Sequence, residues 1–231
     1  MPKIIGFYGN TPADLCMYTA YAMQNTGKRI CVIDNSKDGS LFHCIPTPDK
    51  QLTAVTSRSV DFIRWYPLVQ WHELDYDYIF VQLGTMPQQL CLALCSERIL
   101  VTDCERTNLD AYSRHMQQCS MPATVLLRGF SRDWVRTEQI IQQIKSYLAD
   151  SGNLIEQWLF LPYDPADEAY RIKMQYGVLS QFSHISKSME QVLMKLMQML
   201  ETRDRVQIAR AITDAKHGKI AAAADTRNIA G

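Results

Sequence analysis

The sequence has no excess of charge of either sign: 24 Lys+Arg stand against 24 Asp+Glu in 231 residues. A net basic field, which drives non-specific binding to nucleic acid or anionic membranes, is therefore missing. Also missing is any run near the ~18 apolar residues that cross a bilayer. The N-terminus has no basic stretch leading into an apolar core. A soluble, cytoplasmic protein is expected, reaching membranes only by recruitment to a membrane-associated complex. There is no CxxC pair, and the seven cysteines lie mostly in apolar segments (Cys16, Cys31, Cys91, Cys95), where reduced cysteine behaves as a small hydrophobe. The i,i+4 pair Cys91 and Cys95 reads more simply as one helix face than as half of a zinc site, so no metal is expected. No GxSxG elbow is present, and His43, His72, His115, His184 and His217 are scattered, with Cys44 beside His43 only in sequence.

What is present is an α/β pattern in a chain with 47% hydrophobic residues, enough for a full core in one domain. Lys3 to Asp34 reads as strand, helix and strand, a βαβ unit. LFHCIP and SVDFIRWY are short extended candidates separated by a Pro- and Thr/Ser-rich loop. DYDYIFVQLGT is a continuous apolar strand that belongs at the centre of a parallel sheet. Met86 to Cys95 reads as a short helix, Glu97 to Thr102 as a strand, Asn108 to Gln118 as a helix, and ATVLLRGF as a strand. An amphipathic helix is expected over Trp134 to Ala149, burying Val135, Ile140, Ile141, Ile144 and Leu148, followed by the strand LIEQWLFLP. In the last long helix, Ile185 to Glu201, Met189, Val192, Leu193, Leu196, Met197 and Leu200 make an apolar stripe, more simply core than a partner surface. Residues 1–202 are expected to form a single domain and 203–231 a tail, helical over Asp204 to Lys216 and then frayed.

Other features have local explanations. Asp103, Glu105 and Asp110 follow a strand at an edge where such folds place sites, and capping of the next helix by Asp103 accounts for the first. In the aromatic cluster Phe62, Trp65, Tyr66, Trp71, Tyr76 and Tyr78, core positions are expected for half, with an interface as the alternative for the rest. The basic residues from Arg132 to Lys145 and along the tail are interrupted by acids, which favours a solvated face over a DNA-binding one.

Taken in order, KIIGFYG, TGKRICVID, LDYDYIFVQLG, ERILVTDCERTNLDAY, ATVLLRGF and LPYDP resemble the ParA/MinD type of P-loop ATPases. That family includes the nitrogenase iron protein and the pilus and secretion localisation proteins of the TadZ/CpaE kind. The resemblance reaches to about Glu201 and implies a doubly wound, mostly parallel sheet flanked by helices.

The resemblance also carries an expected nucleotide site, and this sequence departs from it. Where the family has KGGxGK[ST], whose amides wrap phosphates, Gly9 is followed by Asn10, Thr11, Pro12, Ala13 and Asp14, with no lysine. These residues read as a helix start: Thr11 as N-cap, Pro12 at the first helical position, Asp14 at the third, near the positive end of the dipole. Asp34 matches the family's second-strand acid, but the acid two places on corresponds to Ser36. The metal-linked acid of the LDYDYIFVQLG strand, before Gly84, corresponds to Gln82, and the adenine-reading Asn corresponds to Arg128. Asp164 lies in the matching LPYDP segment. The expectation is a non-hydrolysing pseudo-ATPase of the TadZ/CpaE-like branch that needs no cofactor and serves as a scaffold or localisation factor. Its expected partners are a second copy, a partner ATPase or a pilus or secretion component in bacteria. The alternative is a nucleotide switch with an atypical P-loop, using ATP and Mg²⁺ in plasmid partition or division-site placement.

Overall fold

A computed structural model describes residues 1–45, 52–131, 137–147, 154–176 and 181–220. The strands are β1 (Lys3–Gly9), β2 (Ile30–Asp34), β3 (Ala54–Ser57), β4 (Val60–Arg64), β5 (Tyr78–Gln82), β6 (Glu97–Thr102), β7 (Ala123–Phe130) and β8 (Ile155–Pro162). The helices are α1 (Ala13–Gln24), α2 (Ser40–His43), α3 (Gln89–Ala93), α4 (Arg106–Cys119), α5 (Thr137–Tyr147), α6 (Pro165–Gln175), α7 (Lys187–Leu200) and α8 (Arg205–Lys216). One sheet runs in the order β3-β4-β2-β5-β1-β6-β7-β8. Every neighbouring pair is parallel except β3 with β4.

Alternation along each strand divides the core into two layers. Ile5, Phe7, Val32, Phe80, Ile99 and Val101 face α1, α7 and α8. Ile4, Tyr8, Ile33, Ile79, Val81 and Leu100 face α4, where Leu109, Tyr112 and Met116 meet them. β5 is buried along its whole length and sits between β2 and β1, as its continuous apolar run requires. The α7 stripe is core: all six of its apolar residues are buried.

Helix α8 covers α1. Its Ile208, Ala211, Ile212 and Ala215 are buried in the same layer as α1, while Val206 is 78% exposed. Asp204 caps it by accepting from the Gln207 amide at 2.9 Å. Arg203 donates to the Thr26 carbonyl at 2.8 Å, and Arg58 donates to the Ala215 carbonyl at the far end of α8. α1 is thus enclosed by the sheet on one side and by α7 and α8 on the other, which is why every residue from Asp14 to Gln24 is buried.

Several local expectations fail for identifiable reasons. LFHCIP is not extended: Ser40–His43 forms one helical turn, with Leu41 and Phe42 buried, because the Asp34 carboxylate accepts the Phe42 amide at 3.0 Å. The loop before SVDFIRWY contains β3, turned onto β4 by Arg58 and Ser59 at φ 54° and 59°. Such a two-residue turn normally announces itself by Gly or Asn, and neither is present. The helix expected over Met86 to Cys95 is confined to Gln89–Ala93. In α5, Ile144 is buried and Ile141 half-buried, whereas Arg132, Trp134, Val135, Leu148 and Ala149 lie outside the described residues. Of the six clustered aromatics, Phe62, Trp71 and Tyr78 are core, and Trp65 is 61% exposed. No helix among the described residues is long and apolar enough to cross a membrane.

Leu193 on α7 is fully buried in the core layer that α7 shares with α1 and α8. Truncation to alanine is expected to cost about 2–5 kcal/mol in urea unfolding, while Val206→Ala stays within about 0.5 kcal/mol of wild type.

Candidate functional site

The C-terminal ends of parallel strands form the edge where open α/β sheets bind ligands. Here β1 leaves the sheet at Gly9, whose φ is +105° and whose position would place a Cβ 2.1 Å from the Val101 carbonyl oxygen. Only glycine fits. The Gly9 amide donates to the Gly84 carbonyl at 2.9 Å and the Asn10 amide to that of Val101 at 2.7 Å, which ties the end of β1 to the exits of β5 and β6.

The helix then starts differently from expectation. Thr11 lies in the left-handed region at φ 49° and is not the N-cap. Pro12 is the N-cap, with φ −82° and ψ −4°, and no side chain bonds across it. Asp14 is the second helical residue; its Oδ1 accepts the Leu15 amide at 2.9 Å, and the same carboxylate faces Arg128 of β7. The pair is bidentate: Nη1 to Oδ1 and Nη2 to Oδ2, each 3.0 Å. Asp14 is 1% exposed. Nη1 of Arg128 also donates to the Thr11 carbonyl at 2.9 Å, so one guanidinium holds both the loop and the helix start. Burial alone would lower the Arg128 guanidinium, but the Asp14 charge and hydrogen bonds outweigh it and leave it raised. The carboxylate thus takes both a first-turn amide of α1 and a full counter-charge.

Asn10 is held from the other side. Its Nδ2 donates to Asp103 Oδ2 at 2.9 Å, and the Tyr112 hydroxyl donates to its Oδ1 at 2.6 Å. Asp103 does not cap α4, whose N-cap is Glu105. It accepts instead from the Glu105 amide, the Asn108 side chain and Asn10. Nothing in the sequence marks Tyr112 for this part, since its place on the buried face of α4 explains it fully.

A second cluster closes the exits of β2 and β5. Asp34 is fully buried, and its Oδ1 accepts from the Ser36 amide at 3.1 Å and the Ser36 hydroxyl at 2.5 Å. Its Oδ2 takes the Phe42 amide. Gln82 Nε2 donates to Ser40 Oγ, while its Oε1 is buried without a partner among the described residues. Gly84 is at φ +78°, and a Cβ added there would lie 3.7 Å from the Ser36 Cβ. Of the residues singled out from sequence, Asn10, Thr11, Asp14 and Arg128 therefore meet at the β1–α1 junction, and Asp34, Ser36, Gln82 and Gly84 beside it. Asp164 stands apart: it caps α6 by accepting from the Ala166 amide at 2.8 Å and lines a cavity of 450 Å³ with Tyr163, Ser186 and Lys187.

Elsewhere there is little chemistry. No group of three His, Cys, Asp or Glu among the described residues could hold a metal. Cys119 Sγ lies 3.7 Å from His115 Nε2, but burial pushes the thiol up and the imidazole down. The pair is neutral at pH 7 and is not an activated nucleophile.

Removing one partner of a buried ion pair strands the other charge, at a cost of about 3–5 kcal/mol. Arg128→Ala and Asp14→Ala are each expected to lose that much in urea unfolding. The double variant should lose at least about 2 kcal/mol less than the sum, because the stranded charge is gone. Additive losses would contradict the pairing.

No protein-family model matches the chain. No curated protein matches it. Solved structures do. MinD in the MinC:MinD cell division complex of Aquifex aeolicus aligns with TM-score 0.58 at 13% identity, over 85% of this chain and 96% of that one. A ParA family ATPase from Chlorobium tepidum TLS gives 0.53 at 15%, over 93% and 98%. A plasmid partition protein from Borrelia burgdorferi B31, solved with AMPPNP, gives 0.55 at 12%, over 87% and 100%. At these identities the likeness is one of fold: the chain has the ParA/MinD-like, P-loop NTPase-like architecture.

Proposed function

We propose that this chain is a non-hydrolysing member of the ParA/MinD-like fold that serves as a scaffold or localisation factor through protein partners. The observation that carries the reading is the Asp14–Arg128 pair at the β1–α1 junction. In a fold of this type the junction holds phosphate on backbone amides at a helix N-terminus. Here a carboxylate of the chain itself sits in the first turn, where a bound phosphate would meet repulsion. The cation that would offset phosphate charge is already matched at 3.0 Å.

ATP and Mg²⁺ do not fit the residues around it. A magnesium shell needs a carboxylate or hydroxyl with free lone pairs. Asp34 is satisfied by three donors from its own loop, and Gln82 is a neutral amide. Without a lysine, a free acid or a group to position water, the terms that lower a phosphoryl-transfer barrier have no source. No reaction step is therefore assigned to the chain.

Because MinD is found with MinC in the Aquifex structure, assembly with another protein is a use to which this fold is put. The TadZ/CpaE resemblance directs the search for partners to a pilus or secretion apparatus, with a second copy of the chain as a further candidate.

Calorimetric titration of the full chain with Mg·ATP is expected to give no heat of binding up to millimolar nucleotide. Micromolar affinity would sink the scaffold reading in favour of a nucleotide switch, and a phosphate-release assay on the same sample would show whether that switch turns over.

A further inference from the structure

β4, β2 and β5 are adjacent and parallel, so their C-terminal ends share one rim. The segments leaving them carry Trp65, Lys37 and Met86, all exposed. Trp65 has φ 53°, where a bulky side chain is rarely found unless its surroundings hold it. Two bonds do so. Its amide donates to the Asp34 carbonyl at 3.0 Å and its indole N–H to the Ser36 carbonyl at 3.0 Å. The ring is thus fixed in place while most of the residue stays in water. An indole held this way contributes little to the core and is pre-ordered for contact, the property of a binding anchor.

Beside it stands an unmatched cation. The Arg64 guanidinium lies 4.9 Å from the Phe42 ring centroid and 5.7 Å from that of Trp65. Its Nε is buried without a hydrogen-bond partner, and Arg64 takes part in none of the ion pairs among the described residues. Lys37, on the neighbouring segment, is likewise in none of them. The nearby acids are engaged: Asp34 is buried and bonded to its own loop, and Asp38 accepts from the Ser40 amide. The rim therefore joins a rigid aromatic face to positive charge that the chain does not itself neutralise.

We propose that Trp65 and Arg64 anchor a docking surface for an acidic protein segment bearing an apolar or aromatic side chain. A carboxylate of that segment meets the guanidinium, whose planar fork suits bidentate contact. The apolar side chain covers the indole. This deepens the scaffold reading by naming the chemistry of the partner, and rests on it only in taking the partner to be a protein. The Mg·ATP titration reports on that reading alone.

The test uses the full chain and a fluorescent random copolymer of glutamate and tyrosine as probe, followed by anisotropy, with polyglutamate and oligothymidylate as comparisons. Asparagine tolerates left-handed backbone, so Trp65→Asn removes the ring without adding strain. Arg64→Gln is a second variant, and near-UV circular dichroism checks both folds. Wild type is expected to bind the copolymer more tightly than polyglutamate, and less tightly as salt rises. Each folded variant is expected to weaken binding at least about tenfold. Absence of copolymer binding, equal binding by wild type and variants, or tighter binding of oligothymidylate overturns the proposal. So does Trp65-dependent self-association without any probe, which would make a second copy the occupant.

Discussion

The ion pair between Asp14 and Arg128 is the constraint around which the upper edge of this sheet is arranged. Two charges taken out of water cost several kcal/mol each, and only close, well-aligned contact recovers that. The geometry meets the demand with two 3.0 Å bonds and a third to the Thr11 carbonyl. The same carboxylate also takes the Leu15 amide in the first turn of α1, whose N-cap, Pro12, contributes no side-chain bond. The loop from Gly9 to Pro12 is then fixed by Arg128 on one side and by Asp103 and Tyr112, through Asn10, on the other. The β1–α1 junction is a joint held by the chain's own side chains.

The neighbouring strand exits follow the same logic. Asp34 could in principle offer oxygen atoms to a ligand, but its loop folds back and takes them with Ser36 and Phe42. That same folding makes α2 helical and sets Ser36 where its carbonyl accepts from Trp65. The inward-facing Asp34 oxygens are thus consumed by the protein itself, while Gln82 Oε1 stays without a partner among the described residues. Outward, the rim leaves the Trp65 ring exposed and the Arg64 guanidinium without an ion-pair partner among the described residues, the two features on which the proposed docking surface rests.

Much of the fold was legible because its strands are long apolar runs between turn residues. β6 and β7 occur with the expected bounds, β5 lies at the expected centre, and the α7 stripe is core throughout. β3 was hidden because Arg58 and Ser59 make a left-handed turn without glycine. α2 was hidden because a tertiary bond from Asp34, not local periodicity, fixes it. The site was legible as a set of positions and misread in its contacts. Asp14 and Arg128 lie 114 residues apart, and each had an adequate local account, as a dipole-facing acid and as a replaced Asn. Pairing across that distance depends on β7 lying two strands from β1, which no spacing in the sequence reveals.

Hydrogen exchange over residues 9–16, with and without saturating Mg·ATP, asks most directly whether the junction is closed by its own side chains. The Gly9 and Asn10 amides are already bonded to Gly84 and Val101, and the Cys16 amide to Pro12, while the Asp14 pair pins the first turn. Protection should therefore be the same in both conditions. Slower exchange of these amides when nucleotide is added would mean that they still grip phosphate, contradicting a self-occupied junction.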